Sequence, residues 1–140
     1  MANRKNPKIH YIYGDLTDKV YVNRIVRGCQ IIIHTAALSS PWGKPDAFQK
    51  ANVEVQAHLL EAALAQQVNR FIYISTPGVY FELKDKFNIS EQDPLPRTFI
   101  NTYAATKYEA EVLLRESGIP FITLRPRALI GRGDTVIMPR

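Results

Sequence analysis

The sequence has one cysteine, Cys29, in 140 residues. No intrachain disulfide can form, which suits a reducing compartment. No apolar run approaches the roughly 18 residues that a membrane helix needs; Ile31-Ile32-Ile33 is a strand-sized piece. The stretch from Met1 to Lys8 is polar and basic, with no apolar h-region after it. No signal peptide is therefore read, and a cytoplasmic location is expected. Acidic residues number 13 against 18 lysines and arginines, leaving a net charge of +5. The cations are scattered, the nearest clusters being Arg4/Lys5/Lys8 and Arg125/Arg127/Arg132. No basic stripe with interleaved aromatics appears, so no nucleic-acid partner is expected. His10, His34 and His58 lack metal-ligand spacing with one another or with Cys29, so no metal site is expected. Internal repeats and low-complexity tracts are absent.

What is present is a chain for one domain, 46% hydrophobic and 22% charged. Ile9 to Tyr13 reads as a strand ending at Gly14-Asp15, and Thr17 to Val26 as a short helix closed near Gly28. Gln30 to Ala37 is a continuous apolar run, the pattern of a strand buried on both faces. After a loop at Ser39–Lys44, Pro45 suits a first helical position. Phe48, Ala51, Val55, Leu59, Ala62 and Ala63 then keep a helical stripe across Asp46–Gln67. Phe71 to Ser75 is another strand. A long polar stretch, Pro77–Ile100, leads to a helix over Tyr103–Ser117, stopped by Gly118-Ile119-Pro120. Phe121 to Leu124 is a last strand, closed by Pro126. This alternation predicts an α/β fold: a parallel sheet with helices on both faces. Ligands of such sheets sit beyond the carboxyl ends of the strands, next to Asp15, Thr35-Ala36-Ala37, Ser75-Thr76 and Pro126-Arg127.

The sharpest local signal is Tyr103-Ala104-Ala105-Thr106-Lys107. Residues at i and i+4 share one helix face. A phenol is a poor base at neutral pH, but a neighbouring ammonium favours its phenolate. So tuned, a tyrosine can exchange a proton with a substrate hydroxyl or carbonyl. Taken alone, the pair is more often a coincidence of composition. Upstream, Phe71-Ile72-Tyr73-Ile74-Ser75-Thr76-Pro77-Gly78-Val79-Tyr80 puts two hydroxyls at a strand's carboxyl end. Such hydroxyls can orient a substrate oxygen, or simply bond the local backbone.

These segments together resemble the extended short-chain dehydrogenases/reductases, the group of NAD-dependent epimerases, dehydratases and 3β-hydroxysteroid dehydrogenases. The matching stretches run in order across nearly the whole chain. They are Gly14-Asp15-Leu16-Thr17-Asp18, Ile32-Ile33-His34-Thr35-Ala36-Ala37, Ala51-Asn52-Val53, the Phe71–Tyr80 segment, Tyr103 with Lys107, and Leu124-Arg125-Pro126 through Gly131. The resemblance implies part of a Rossmann-type doubly wound parallel sheet and a cofactor, NAD or NADP. It implies Tyr103 as catalytic acid/base, Lys107 as the group that favours its phenolate and holds the nicotinamide ribose, and Thr76 as the catalytic hydroxyl beside Ser75. Asp15 and Leu16 would contact the adenine. Thr35, Ala36 and Ala37 would line the dinucleotide, as would Ser75 and Pro126. Asn52 would tie strand ends together behind the site. Without the resemblance, Asp15 is a turn residue and Asn52 a solvent-facing helical asparagine. His34 reads as a packed histidine, Arg132-Gly133-Asp134 as a loop, and Asn88-Ile89-Ser90 as a sequon without consequence.

The family opens with a strand, a glycine-rich turn and a helix whose N-terminus binds the pyrophosphate. These 140 residues hold no such turn; the one G-x-G, Gly131 to Gly133, lacks the third glycine. The chain is therefore expected to be a fragment that lacks the first β-α-β unit and most of the substrate-binding part. In the order 3-2-1-4-5-6 the Ile9–Tyr13 strand would have no native neighbour, and Gln30–Thr35 would become an apolar edge. Instability or non-native pairing of those two strands is the expected result. Ser75-Thr76-Pro77 and Ala37-Leu38-Ser39-Ser40-Pro41-Trp42 look more like the 3β-hydroxysteroid dehydrogenase branch than the sugar epimerases, and Pro41 with Trp42 would favour an apolar substrate. The expected activity is hydride transfer between NAD(P) and a secondary alcohol or ketone, on a small-molecule substrate, in a full-length protein that could dimerise. The alternatives are a nucleotide-sugar epimerase or dehydratase, a dinucleotide-binding protein without turnover, and an inactive fragment that binds no cofactor.

Overall fold

A computed structural model describes residues 8–40 and 42–131. Three parallel strands lie in the order β1 (Ile31–His34), β2 (Arg70–Ile74) and β3 (Phe121–Leu124). Ile32 pairs with Phe71, His34 with Tyr73, and Tyr73 with Thr123. Because side chains alternate, Ile32, His34, Phe71, Tyr73 and Thr123 share one face.

Helices cover that face. α1 (Lys19–Val26) begins where the Asp18 carboxylate accepts from the Val20 N–H at 2.8 Å, an N-cap that satisfies an orphan donor. Gly28, at φ +76°, ends it. The second helical stretch is continuous but not uniform. α2 (Pro45–Phe48) runs into a π-helical segment (Gln49–Glu54) and then α3 (Val55–Ala65). α4 (Thr102–Glu116) is capped by Asn101, whose side chain accepts from the Ala104 N–H at 2.8 Å. Gly118, at φ +72°, takes the left-handed turn that follows it. Val22 and Val26 of α1, Val55, Leu59 and Ala63 of α3, Phe71 and Tyr73 of β2, and Ala110 and Leu114 of α4 form the core. Fully burying a side chain such as Phe71 or Leu114 is worth about 1.5–3 kcal/mol, so this one layer carries most of the fold's apolar stabilisation.

Three expectations change. Ile9–Tyr13 is not a strand; it runs as irregular, exposed chain ahead of α1, with Tyr13 82% exposed. A strand needs a neighbouring strand to form a ladder with, and no described strand pairs with this segment; the Ile12 carbonyl instead accepts from the Tyr21 hydroxyl at 3.4 Å. It has not paired with β1 in a non-native way either. The Gln30–Ala37 run forms a strand only over Ile31–His34, and it is not buried on both faces: Ile31 and Ile33 are exposed while His34 is buried. Lastly, the described helices pack against the Phe71–Tyr73 side, and Ile33, Ile122 and Leu124 on the opposite side remain exposed. The order β1-β2-β3 does leave β1 as the expected apolar edge.

Candidate active site

The carboxyl ends of the three strands gather most of the predicted residues. Thr35, Ala36 and Ala37 follow β1 as irregular chain, with Thr35 and Ala36 exposed. Ser75 and Thr76 follow β2, and Arg125 and Pro126 follow β3. α4 crosses behind them and presents Tyr103, half-buried, and Lys107, buried.

The Lys107 ammonium is held at two points. Nζ donates to the Ile74 carbonyl at 2.6 Å and lies 4.0 Å from the centre of the Tyr73 ring. The carbonyl is that of the last residue of β2, so the lysine ties α4 to the strand end that carries Ser75 and Thr76. Burial pulls its pKa down to about 8, against an opposing pull from Glu111. His34 also stacks on Tyr73, with ring centres 5.6 Å apart. Burial, with Lys107 adding to it, depresses the His34 pKa to about 4. The Tyr73 hydroxyl is pushed above the usual phenol range by burial, and further by Glu111 and Tyr103. His34 is the packed, neutral histidine that its strand position suggests.

Thr76 and Ser75 differ. The Thr76 Oγ1 accepts from the Gly78 N–H at 3.1 Å and so caps the short 3₁₀ turn Pro77–Tyr80. Its own O–H remains available to donate. The Ser75 Oγ is buried and has no partner among the described residues.

Asn52 sits in the π segment, 1% exposed. Its Oδ1 accepts from the Leu38 N–H at 2.7 Å, and its Nδ2 donates to the Leu38 carbonyl at 3.2 Å and to Thr106 Oγ1 at 3.0 Å. One amide thus joins the chain leaving β1 to the helix that carries Tyr103 and Lys107. It is not solvent-facing, and the local π geometry falls where this contact is made, as π-bulges commonly do at functional sites.

Asp15 and Leu16 come just before α1 in the chain. The exposed Asp15 carboxylate accepts from the Thr17 N–H at 2.8 Å, a turn that lowers its pKa. The Leu16 carbonyl lies 3.4 Å from Nδ1 of His58. Trp42 is 83% exposed and its backbone is bonded to the Ser40 hydroxyl; Pro41 and Arg132-Gly133-Asp134 fall outside the described residues.

Two further residues complete the cluster. Glu111, 1% exposed, pairs through both carboxylate oxygens with Arg125. Arg125 also donates to the Tyr80 hydroxyl at 2.7 Å, and that hydroxyl donates to the Glu91 carbonyl at 3.1 Å. The signal for Glu111 was available as a continuation of spacing: Tyr103, Lys107 and Glu111 recur every four residues along one helix face. A cavity of about 560 Å³ opens beside this network, lined by Pro77, Tyr80, Ile100, Arg125 and Arg127 among others. Its lining includes neither Thr76 nor Tyr103.

Among the described residues no cluster of His, Cys, Asp and Glu could hold a metal ion, and no helix is long and apolar enough to cross a membrane.

Comparison with known proteins agrees with this architecture. A 2-alkyl-3-oxoalkanoate reductase of Shewanella oneidensis is 30% identical over 139 residues, covering 92% of this chain and 36% of its own length. A 3β-hydroxysteroid dehydrogenase/decarboxylase of Arabidopsis thaliana is 29% identical over 140 residues, covering 96% of this chain and 32% of its own. Among solved structures, the dTDP-glucose 4,6-dehydratase DesIV of Streptomyces venezuelae, bound to NAD and TYD, superposes with a TM-score of 0.77 at 27% identity, over 88% of this chain and 39% of that one. The chain thus spans between about a third and two fifths of the length of these proteins. The family model described as "NAD dependent epimerase/dehydratase family" matches residues 1–140. The chain belongs to the NAD-dependent epimerase/dehydratase family.

Proposed function

We propose that this chain carries the catalytic face of an NAD(P)-dependent oxidoreductase acting on a secondary alcohol or ketone. The observation that supports it most directly is the placement of α4: Lys107 bonded to the last carbonyl of β2, with Tyr103 one turn away and Thr76 two residues beyond that carbonyl. The residues suit the nicotinamide half of a dinucleotide. Lys107 offers a fixed ammonium to ribose hydroxyls. Ser75 offers a buried hydroxyl without a partner. Thr35, Ala36 and Ala37 are small enough for a ligand to lie along their backbone, and Pro126 closes the β3 side. Asp15 and Leu16 would meet the adenine end. NAD or NADP, when bound, supplies the hydride acceptor or donor.

The chain's own residues do the proton chemistry. In the oxidative direction Tyr103, as phenolate, takes the proton of the substrate hydroxyl as the carbonyl forms. In the reductive direction it returns that proton to the alkoxide oxygen. Thr76, whose oxygen is occupied by the Gly78 N–H, donates its O–H to the same substrate oxygen and fixes its direction.

The 3β-hydroxysteroid dehydrogenase-like branch is the favoured substrate class. Ser75-Thr76-Pro77 and the Ala37–Trp42 segment support it, as does the likeness to the Arabidopsis and Shewanella enzymes. The likeness to the Streptomyces dehydratase favours a second reading, a nucleotide-sugar epimerase or dehydratase. Turnover of apolar hydroxy and keto substrates with NAD(P), reduced about 10²-fold or more by Tyr103→Phe, is the expected result. Turnover of nucleotide sugars with none of sterols or other apolar ketones would reverse the two readings.

A further inference from the structure

The proposed role of Lys107 requires its ammonium form, and the lysine is buried. Desolvation disfavours the charged form of a buried amine by several-fold to many orders of magnitude, depending on what faces it. The groups that face Lys107 come from four elements. β1 contributes His34, neutral and stacked on Tyr73. β2 contributes the Tyr73 ring and the Ile74 carbonyl. α4 contributes Tyr103 one turn before and Glu111 one turn after. The end of β3 contributes Arg125 through its pair with Glu111. Glu111 is the single anion in this set. Its carboxylate is fixed by the Arg125 fork, and Arg125 is fixed in turn by Tyr80. Since α4 carries both Lys107 and Glu111, their spacing is set by the helix itself.

We propose that Glu111, anchored by Arg125, is a positioning residue for Lys107, the buried counter-charge that keeps its ammonium form in place beside Tyr103. Arg125, which follows β3, holds both carboxylate oxygens of Glu111, and Glu111 lies one turn beyond Lys107 on α4. Burial alone takes Lys107 down towards the physiological range, and Glu111 opposes that fall. The Glu111–Arg125 pair continues to the Tyr80 hydroxyl and, through it, to the Glu91 carbonyl.

This inference rests on the assignment of Lys107 to the active site, but its test does not require turnover. The chain is produced with ¹³C-labelled lysine, and the Lys107 Cε signal is assigned by its loss in Lys107→Arg. The protonation midpoint of that signal is followed by NMR in the unmodified chain and in Glu111→Gln, which keeps the shape and one of the two acceptors offered to Arg125. The midpoint is expected to fall by about one pH unit, a tenfold fall in the ratio of ammonium to amine at fixed pH. Glu111→Asp keeps the charge but withdraws it by one methylene, and should give a smaller fall in the same direction. It is the deciding variant if Glu111→Gln does not fold. A midpoint that stays put in the folded variant would overturn the proposal, even if the protein transfers hydride. Conversely, a shifted midpoint in a protein that never binds a dinucleotide would leave the electrostatics intact and retire the enzymatic reading.

Discussion

His34 shows how much a single buried side chain decides. Its ring is 4% exposed, its Nε2 has no partner among the described residues, and the Lys107 charge lies nearby. The folded protein therefore holds it neutral down to about pH 4, whereas the unfolded chain protonates it near 6.5. Between those values the unfolded state binds more protons, so stability rises with pH across the window and is lost as pH falls through it. The loss amounts to at most about 3 kcal/mol. Chemical denaturation between pH 4 and 7 should show this slope, and His34→Phe should flatten it; equal slopes in both proteins would contradict the assignment. At this scale the sequence was legible where spacing alone carries the information. Tyr103 and Lys107 lie four apart, and a helix aligns them. Their extension to Glu111 follows the same rule. Its partner Arg125 does not, because that contact depends on where β3 ends relative to α4, a relation across 14 residues that no local pattern encodes.

Among the elements, the most consequential is the helical stretch from Pro45 to Ala65. Its apolar stripe predicts a helix, and a helix forms. The π segment at Gln49–Glu54 left no mark in that stripe, since a π turn changes the phase of the helix without changing which residues are apolar. Without the family resemblance, Asn52 reads as a solvent-facing helical residue. In the structure it makes three hydrogen bonds that join Leu38 to Thr106. Asn52→Ala would leave the half-buried Leu38 amide without that acceptor, at a cost of about 1–3 kcal/mol. Urea denaturation should register this as a lower midpoint at unchanged slope. A change below about 0.5 kcal/mol would mean that the clamp contributes nothing. The strands divide by neighbour. β2 lies between two partners and was read to within a residue. Ile9–Tyr13 reads as a strand, but no described strand pairs with it, and it stays irregular.

For the molecule as a whole, the described residues build one side of an α/β sandwich. The Phe71 face is packed against helices, while Ile33, Ile122 and Leu124 on the reverse face meet solvent. The family relation and the order of the strands agree with the expectations drawn from the motifs. The one-sided packing was not legible, because continuous apolar runs describe what a strand can bury rather than what lies against it. The central claim is that these residues already form the nicotinamide side of a dinucleotide site. The measurement that tests it most directly is a titration of the purified chain with NADH and NADPH, following nicotinamide and Trp42 fluorescence, alongside the same titration of Lys107→Met. The account predicts saturable binding that weakens at least about tenfold on losing the charge-assisted contact of the lysine. A soluble, folded chain that binds neither dinucleotide, or binds equally well without Lys107, would contradict it.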